Sequence, residues 1–257
     1  MEKILKEIKS ILSLHRESYS FYLCSEAGDG SDWITPLQHP LYLNSDKHYE
    51  LALVSLETFY SIPNITAENN KLVFSLDGGR SWGTLELPIG SYEIEQINDA
   101  IQAKLGKVVE IRPNLATLCS VVIINDRKFQ IDMSQSTLRT VLGFNEKDDL
   151  GGPNKLEQGT NQSPNTVNII GIANIFVHCD LVSGSYFKGD LSSVVYSFFP
   201  SVGVGHKIIQ RPSQPLYLPI SKRGSINRIR VWITDQNGSL IDFRNEDITV
   251  RLHIRSI

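Results

Sequence analysis

The feature that most limits how this chain folds is the period of its apolar residues. From Tyr19 onward the pattern has a period of two. Residues 174–182, 191–199, 207–211, 215–219, 227–234 and 248–254 alternate apolar with polar or are continuously apolar. Successive side chains on a strand point to opposite faces, so these segments read as strands with at least one buried face. The run YELALVSLETFY at 49–60 is apolar in both phases. Leu51, Leu53 and Ser55 fall on one face and Ala52, Val54 and Leu56 on the other, which predicts a central strand covered on both sides. Ser61-Ile62-Pro63-Asn64 ends it. Asp77-Gly78-Gly79, between 71–75 and 82–87, and Asn237-Gly238, between VWITDQ and SLIDF, are hairpin signals. Further strands are expected near 108–111, 120–124 and 129–132. At least eight mostly short strands in 257 residues predict one all-β sandwich, and a jelly roll is a common eight-strand solution.

Helical periodicity is confined to a few places. MEKILKEIKSILSL at 1–14 puts Ile4, Leu5, Ile8, Ile11 and Leu12 on one face. It predicts a short amphipathic arm over residues 1–18 that must dock on something, because so short a helix is marginal alone. The partner is either its own domain or a neighbouring subunit. YEIEQINDAIQAKL places Ile94, Ile97, Ile101 and Leu105 on one face, with Ser91 as the expected cap and Gly106 as the stop. A short helix is expected at 136–142. Residues 145–166 hold almost no large apolar side chains and are expected to form a long surface loop inside a jelly-roll domain spanning 19–257.

Charge is modest overall and uneven along the chain. The net charge of −3 argues against a whole-protein nucleic-acid binder. Residues 206–257 carry nine Lys/Arg against four acids, +5, which leaves −8 for residues 1–205. That asymmetry has two readings: a basic face for an acidic partner, or ordinary outward positions on strands. The cysteines, Cys24, Cys119 and Cys179, are far apart with no C-x-x-C, so free thiols are expected. The N-terminus lacks the uninterrupted apolar core of a signal peptide, and the longest apolar stretch, 169–177, is too short to span a bilayer.

No catalytic constellation is found. The sequence has no G-x-S-x-G, no H-E-x-x-H and no phosphate-binding loop. No metal-ligand spacing and no cofactor motif occur. His178-Cys179-Asp180 is the densest reactive cluster, but neighbours on a strand point apart. Cys179 is expected inside, with His178 and Asp180 outside. Lys188-Gly189-Asp190 reads as a turn. A structural role, not an enzyme, follows from this pattern.

Three stretches together resemble a known family: YELALVSLETFYSIPNI at 49–65 with LPIGSYEIEQINDAI at 87–101, NIFVHCDLVSGSYFKG at 174–189, and LYLPISKRGSINRIRVWITDQNGSLIDFRNEDITVRLHIR at 216–255. The ensemble is similar to the small capsid proteins of Maverick/Polinton elements and adintoviruses over roughly 19–257. The resemblance implies an all-β fold, a single jelly-roll β-sandwich with one inserted helix and a short N-terminal helical arm. It also implies a penton subunit, forming homopentamers at icosahedral vertices of the virion. Its partners would be other copies of itself, a major capsid protein with a double jelly roll, and in some cases a host receptor. No membrane span, cofactor or specific nucleic acid belongs to that role, and assembly would occur in the host cytoplasm or nucleus. A chain of this length has room for one jelly roll, not two. The candidate subunit contacts are Ile4, Ile8 and Ile11 on the arm and Lys222 and Arg223 near the C-terminal strands. The alternative is an oligomeric β-sandwich that binds a receptor or a carbohydrate.

Overall fold

The computed structural model describes residues 4, 17–26, 28–144, 154–222 and 224–257. In chain order the strands are β1 (Ser18–Cys24), β2 (Asp32–Leu43), β3 (Tyr49–Phe59), β4 (Lys71–Ser75), β5 (Gly83–Glu86), β6 (Val109–Asn114), β7 (Cys119–Ile124), β8 (Gln130–Asp132), β9 (Lys155–Leu156), β10 (Gly159–Thr166), β11 (Ile175–Cys179), β12 (Ser185–Phe187), β13 (Asp190–Ser192), β14 (Val194–Phe198), β15 (Lys207–Gln210), β16 (Leu218–Pro219), β17 (Gly224–Thr234) and β18 (Thr249–Ser256). Helices cover Ile94–Leu105 and Arg139–Leu142. The chain forms two compact units, one from Met1–Ser61 with Ile172–Ile257, the other from Ile62–Gly171.

The first unit is a jelly roll. Its sheets run β1-β18-β3-β15, with β16 also on β3, and β14-β11-β17-β2. Take its eight sheet-forming strands β1, β2, β3, β11, β14, β15, β17 and β18 in chain order. The first pairs with the last, the second with the seventh, the third with the sixth and the fourth with the fifth, all antiparallel. β18 then also pairs with β3, and β17 with β11, so the four-pair ribbon is wrapped into two sheets. Alternation on β18 is clean: Val250, Leu252, Ile254 and Ser256 are buried, whereas Thr249, Arg251, His253 and Arg255 are not. β17 and β11 supply Ile229, Val231, Ile233, Ile175, Val177 and Cys179 to the core.

β3 departs from the expected phase. Arg251 faces Ser55 but Leu252 faces Leu53, so Val54 is an extra residue, a β-bulge. Before it Tyr49, Leu51 and Leu53 are buried; after it Leu56 and Thr58 take over. The double-phase apolar pattern therefore records one inward face that changes parity at the bulge. Ala52, across from His253, is covered as well.

The second unit is an insertion between β3 and β11. It holds the sheets β10-β7-β6 and β5-β4-β8-β9 and both helices. Ile97 and Ile101 of the long helix pack with Val122, Phe129, Ile131 and Leu142 in one buried cluster. The helix start differs from expectation. Glu93, not Ser91, is the N-cap, and it forms a reciprocal capping box with Gln96. Ser91 instead donates to the Ile62 carbonyl. The Asn64 amide donates to Tyr92 and Ile169 carbonyls at 2.7 and 3.1 Å, which ties the unit's entry to its exit.

The expected loop at 145–166 is corrected in its second half. β9 and β10 lie within it, pairing with β8 and β7, while 145–153 lie outside the described residues. β10, GTNQSPNT, is polar because it borders a three-stranded sheet and buries only Ser163. The short helix is also shorter than expected, with Leu138 as its cap.

Leu252→Ala removes a fully buried side chain from a strand paired on both edges. It should cost about 2–5 kcal/mol of stability, read by denaturant titration. A cost under about 1 kcal/mol would contradict the central place given to β18.

Candidate functional site

The basic C-terminal segment is neutralised within its own unit. Lys207 and Arg211 pair with Glu57, Lys222 with Asp180, Arg230 with Asp32 and Arg255 with Glu50, at 2.6–3.3 Å. Every cation here comes from 206–257 and every acid from the chain before it. The topology explains this, because β15 and β18 flank β3, and β17 lies between β2 and β11. The asymmetry read along the sequence is thus largely folded into the jelly roll. These pairs face solvent, which screens them, so they favour register more than stability.

His178 is not outside, contrary to expectation. It is buried, its ring stacked on Trp232 with centroids 4.9 Å apart, and its Nε2 lies 2.9 Å from the Thr234 hydroxyl. On the neighbouring position Phe176, the β12–β13 hairpin packs Phe187, centroids 4.8 Å apart. Burial pushes the His178 imidazole down to about 4 and the Cys179 thiol up to about 12. Neither value suits proton transfer or nucleophilic attack at neutral pH. Asp180 accepts the Arg230 backbone N–H at 3.0 Å and the Lys222 ammonium at 2.6 Å. The triplet is structural. Among the described residues no group of three or more His, Cys, Asp or Glu is placed to hold a metal ion. No helix among them is long and apolar enough to cross a membrane.

Lys188 and Gly189 form the two-residue turn of the β12–β13 hairpin, both with positive φ. The cross-strand pair Tyr186 and Leu191 on this hairpin is exposed.

One end of the jelly roll carries a partly open cavity. Its volume is about 230 Å³, and it is bordered by the β2–β3 connection and β3 start (Asn44, Lys47, His48, Glu50), by Pro219, Ile220 and Lys222, and by Ile257, a lining both polar and apolar. Its rim is clamped through Glu17. The Glu17 carboxylate accepts from Lys47 at 2.6 Å and from the Tyr49 hydroxyl, and these donors hold it below the usual carboxylate range. Its backbone exchanges two 2.9 Å hydrogen bonds with Ser256.

Of the candidate contacts, Lys222 lines this cavity while paired to Asp180. Ile4 is helical and 61% exposed. Ile8, Ile11 and Arg223 lie outside the described residues. Sequence reasoning missed the cavity because it joins three stretches far apart in the chain.

No family model matches the chain, and no curated protein sequence matches it. Solved structures do. The mavirus penton protein superposes with a TM-score of 0.52 at 12% identity, covering 94% of this chain and all of that one. The likeness is to the fold of a penton protein. An alignment confined to either unit could not reach that share, so the penton likeness takes in the insertion as well as the jelly roll. A chain of the Sputnik virophage structure gives 0.41 at 12% identity, over 93% of this chain and 97% of that one.

The depressed His178 value sets a pH dependence. An unfolded histidine binds a proton near 6.5, the folded one only near 4. Between these values the unfolded state holds more protons, so stability falls as pH drops from about 6.5 to about 4. Ring-proton NMR should show His178 neutral at pH 5.5; a midpoint near 6.5 would contradict its burial.

Proposed function

We propose that this chain is a structural capsid subunit, a penton that forms homopentamers at the vertices of an icosahedral shell and contacts a double jelly-roll major capsid protein. The observation that carries the reading is the jelly-roll order with an insertion between its third and fourth strands, a fold likeness to a penton protein that extends over 94% of the chain. The chemistry agrees. The most reactive cluster is tied up in packing and ion pairs, and function without chemistry must reside in faces, edges and arms. A rigid sandwich presenting different surfaces at its two sides suits head-to-tail contacts that close into a ring. The virion is then its place of action, and its partners are copies of itself and the major capsid protein.

The purified protein should sediment as a ring of five and show fivefold symmetry in negative stain. A monomer at high concentration that also fails to bind any capsid partner would overturn the proposal. A trimeric mass with defined glycan binding would replace it with a receptor-binding module.

A further inference from the structure

We propose that the outer edge of β1 takes an extended strand of the surrounding major capsid protein, which adds to the β1-β18-β3-β15 sheet. The inference rests on the capsid reading above and names the contact that holds the subunit in the shell.

The ladder between β1 and β18 gives the geometry. β1 is the end strand of its sheet, and all seven of its residues pair with β18 without a register shift. The Ser25 N–H donates to the Ile248 carbonyl, and the Ser256 N–H to the Glu17 carbonyl, both at 2.9 Å. Residues 17 and 25 therefore turn their backbone groups towards β18, and in an antiparallel ladder that role alternates along the strand. Tyr19, Phe21 and Leu23 share it. Ser18, Ser20, Tyr22 and Cys24 turn their N–H and C=O groups the other way, where no described strand lies. These groups repeat every two residues, about 6.8 Å, a spacing that another extended backbone matches.

Sheet edges are normally blunted against such pairing by proline, charge, bulges or shortness. The other end strands carry these devices. β2 has Pro36 and Pro40 and a register shift against β17. β14 is shifted against β11, and β15 has four residues starting at Lys207. In the second unit β6 and β10 contain Pro113 and Pro164, while β5 and β9 have only four and two residues. The strands of the β12–β13 hairpin have three residues each. β1, SYSFYLC, has no proline, no charge and no bulge. It is the one described edge left ready to pair.

That contrast also selects the occupant. A ring contact joins two different surfaces, and no second described edge is open to meet β1. Pairing β1 with β1 of a second copy closes on a twofold axis, which a ring of five lacks. Residues 1–14 have the period of a helix, and 145–153 hold four charges, two glycines and a proline, so neither sequence suits a strand. The neighbour that remains in the shell is the major capsid protein.

The test is photocross-linking in assembled particles, with Tyr22, 64% exposed, replaced by benzoylphenylalanine. Purified rings with the same replacement are irradiated alongside. An adduct of this chain with the major capsid protein is expected in particles, and none in rings alone. An adduct between two copies, or no adduct from particles whose vertices hold the chain, overturns the contact and leaves the capsid reading standing. Particles whose vertices lack the chain remove both. Hydrogen exchange gives a second readout. In the purified protein the Ser20 and Tyr22 amides should exchange faster than that of Phe21, and in particles they should become protected. Protection already present in the purified protein overturns the proposal, because the edge is then covered without the shell. Ser20→Pro removes an outward N–H and keeps the bonds to β18. It should leave the native mass unchanged and lower incorporation into particles about tenfold; unchanged incorporation would also overturn the contact.

Discussion

The structure depends on β18 lying between β1 and β3. This strand bonds the two ends of the described fold, pairing Ser18 with Arg255, and it also fixes β3. Closing so long a loop costs entropy before any contact repays it. The repayment is the buried row Val250, Leu252 and Ile254. Around β18 and β3 the other ribbon pairs are arranged, and β15 and β17 bring their cations against acids from earlier strands. The charge asymmetry of the sequence is therefore a consequence of topology: the positive end of the chain is paired in space with its negative body.

Much of this was legible in the residues and some was not. Period two gave the strand-rich class and most strands of the C-terminal half, because those strands bury one face. β2 is not among the expected strands; its sequence DWITPLQHPLYL carries Pro36 and Pro40, which interrupt a strand pattern. In the fold it is the edge of its sheet, where prolines are tolerated. β10 was read as loop because its residues are polar. The parity change in β3 needs the partner strand to be seen, since only the register identifies Val54 as the bulge. His178 was misplaced for a related reason: alternation gives the face, but not what covers it. Strand order, and the extent of the insertion between β3 and β11, depend on long-range pairing that no local pattern encodes.

The same division applies to the candidate site. The N-terminal stripe of Ile4, Ile8 and Ile11 was readable as an amphipathic segment in search of a partner. The cavity beside its root was not, because Leu43, Ile220 and Ile257 meet only after the roll closes. Glu17, at the start of the jelly roll, is held beside that cavity by Lys47, Tyr49 and Ser256. The densest reactive cluster, His178-Cys179-Asp180, is buried or paired within its own unit.

The central claim is that this chain occupies the vertices of a capsid. Cryo-electron microscopy of assembled particles carrying a small tag at the C-terminus tests it most directly. The account predicts five tag densities around each fivefold axis and none on the facets. Tags distributed over the facets, or particles that assemble without the protein at their vertices, would contradict it.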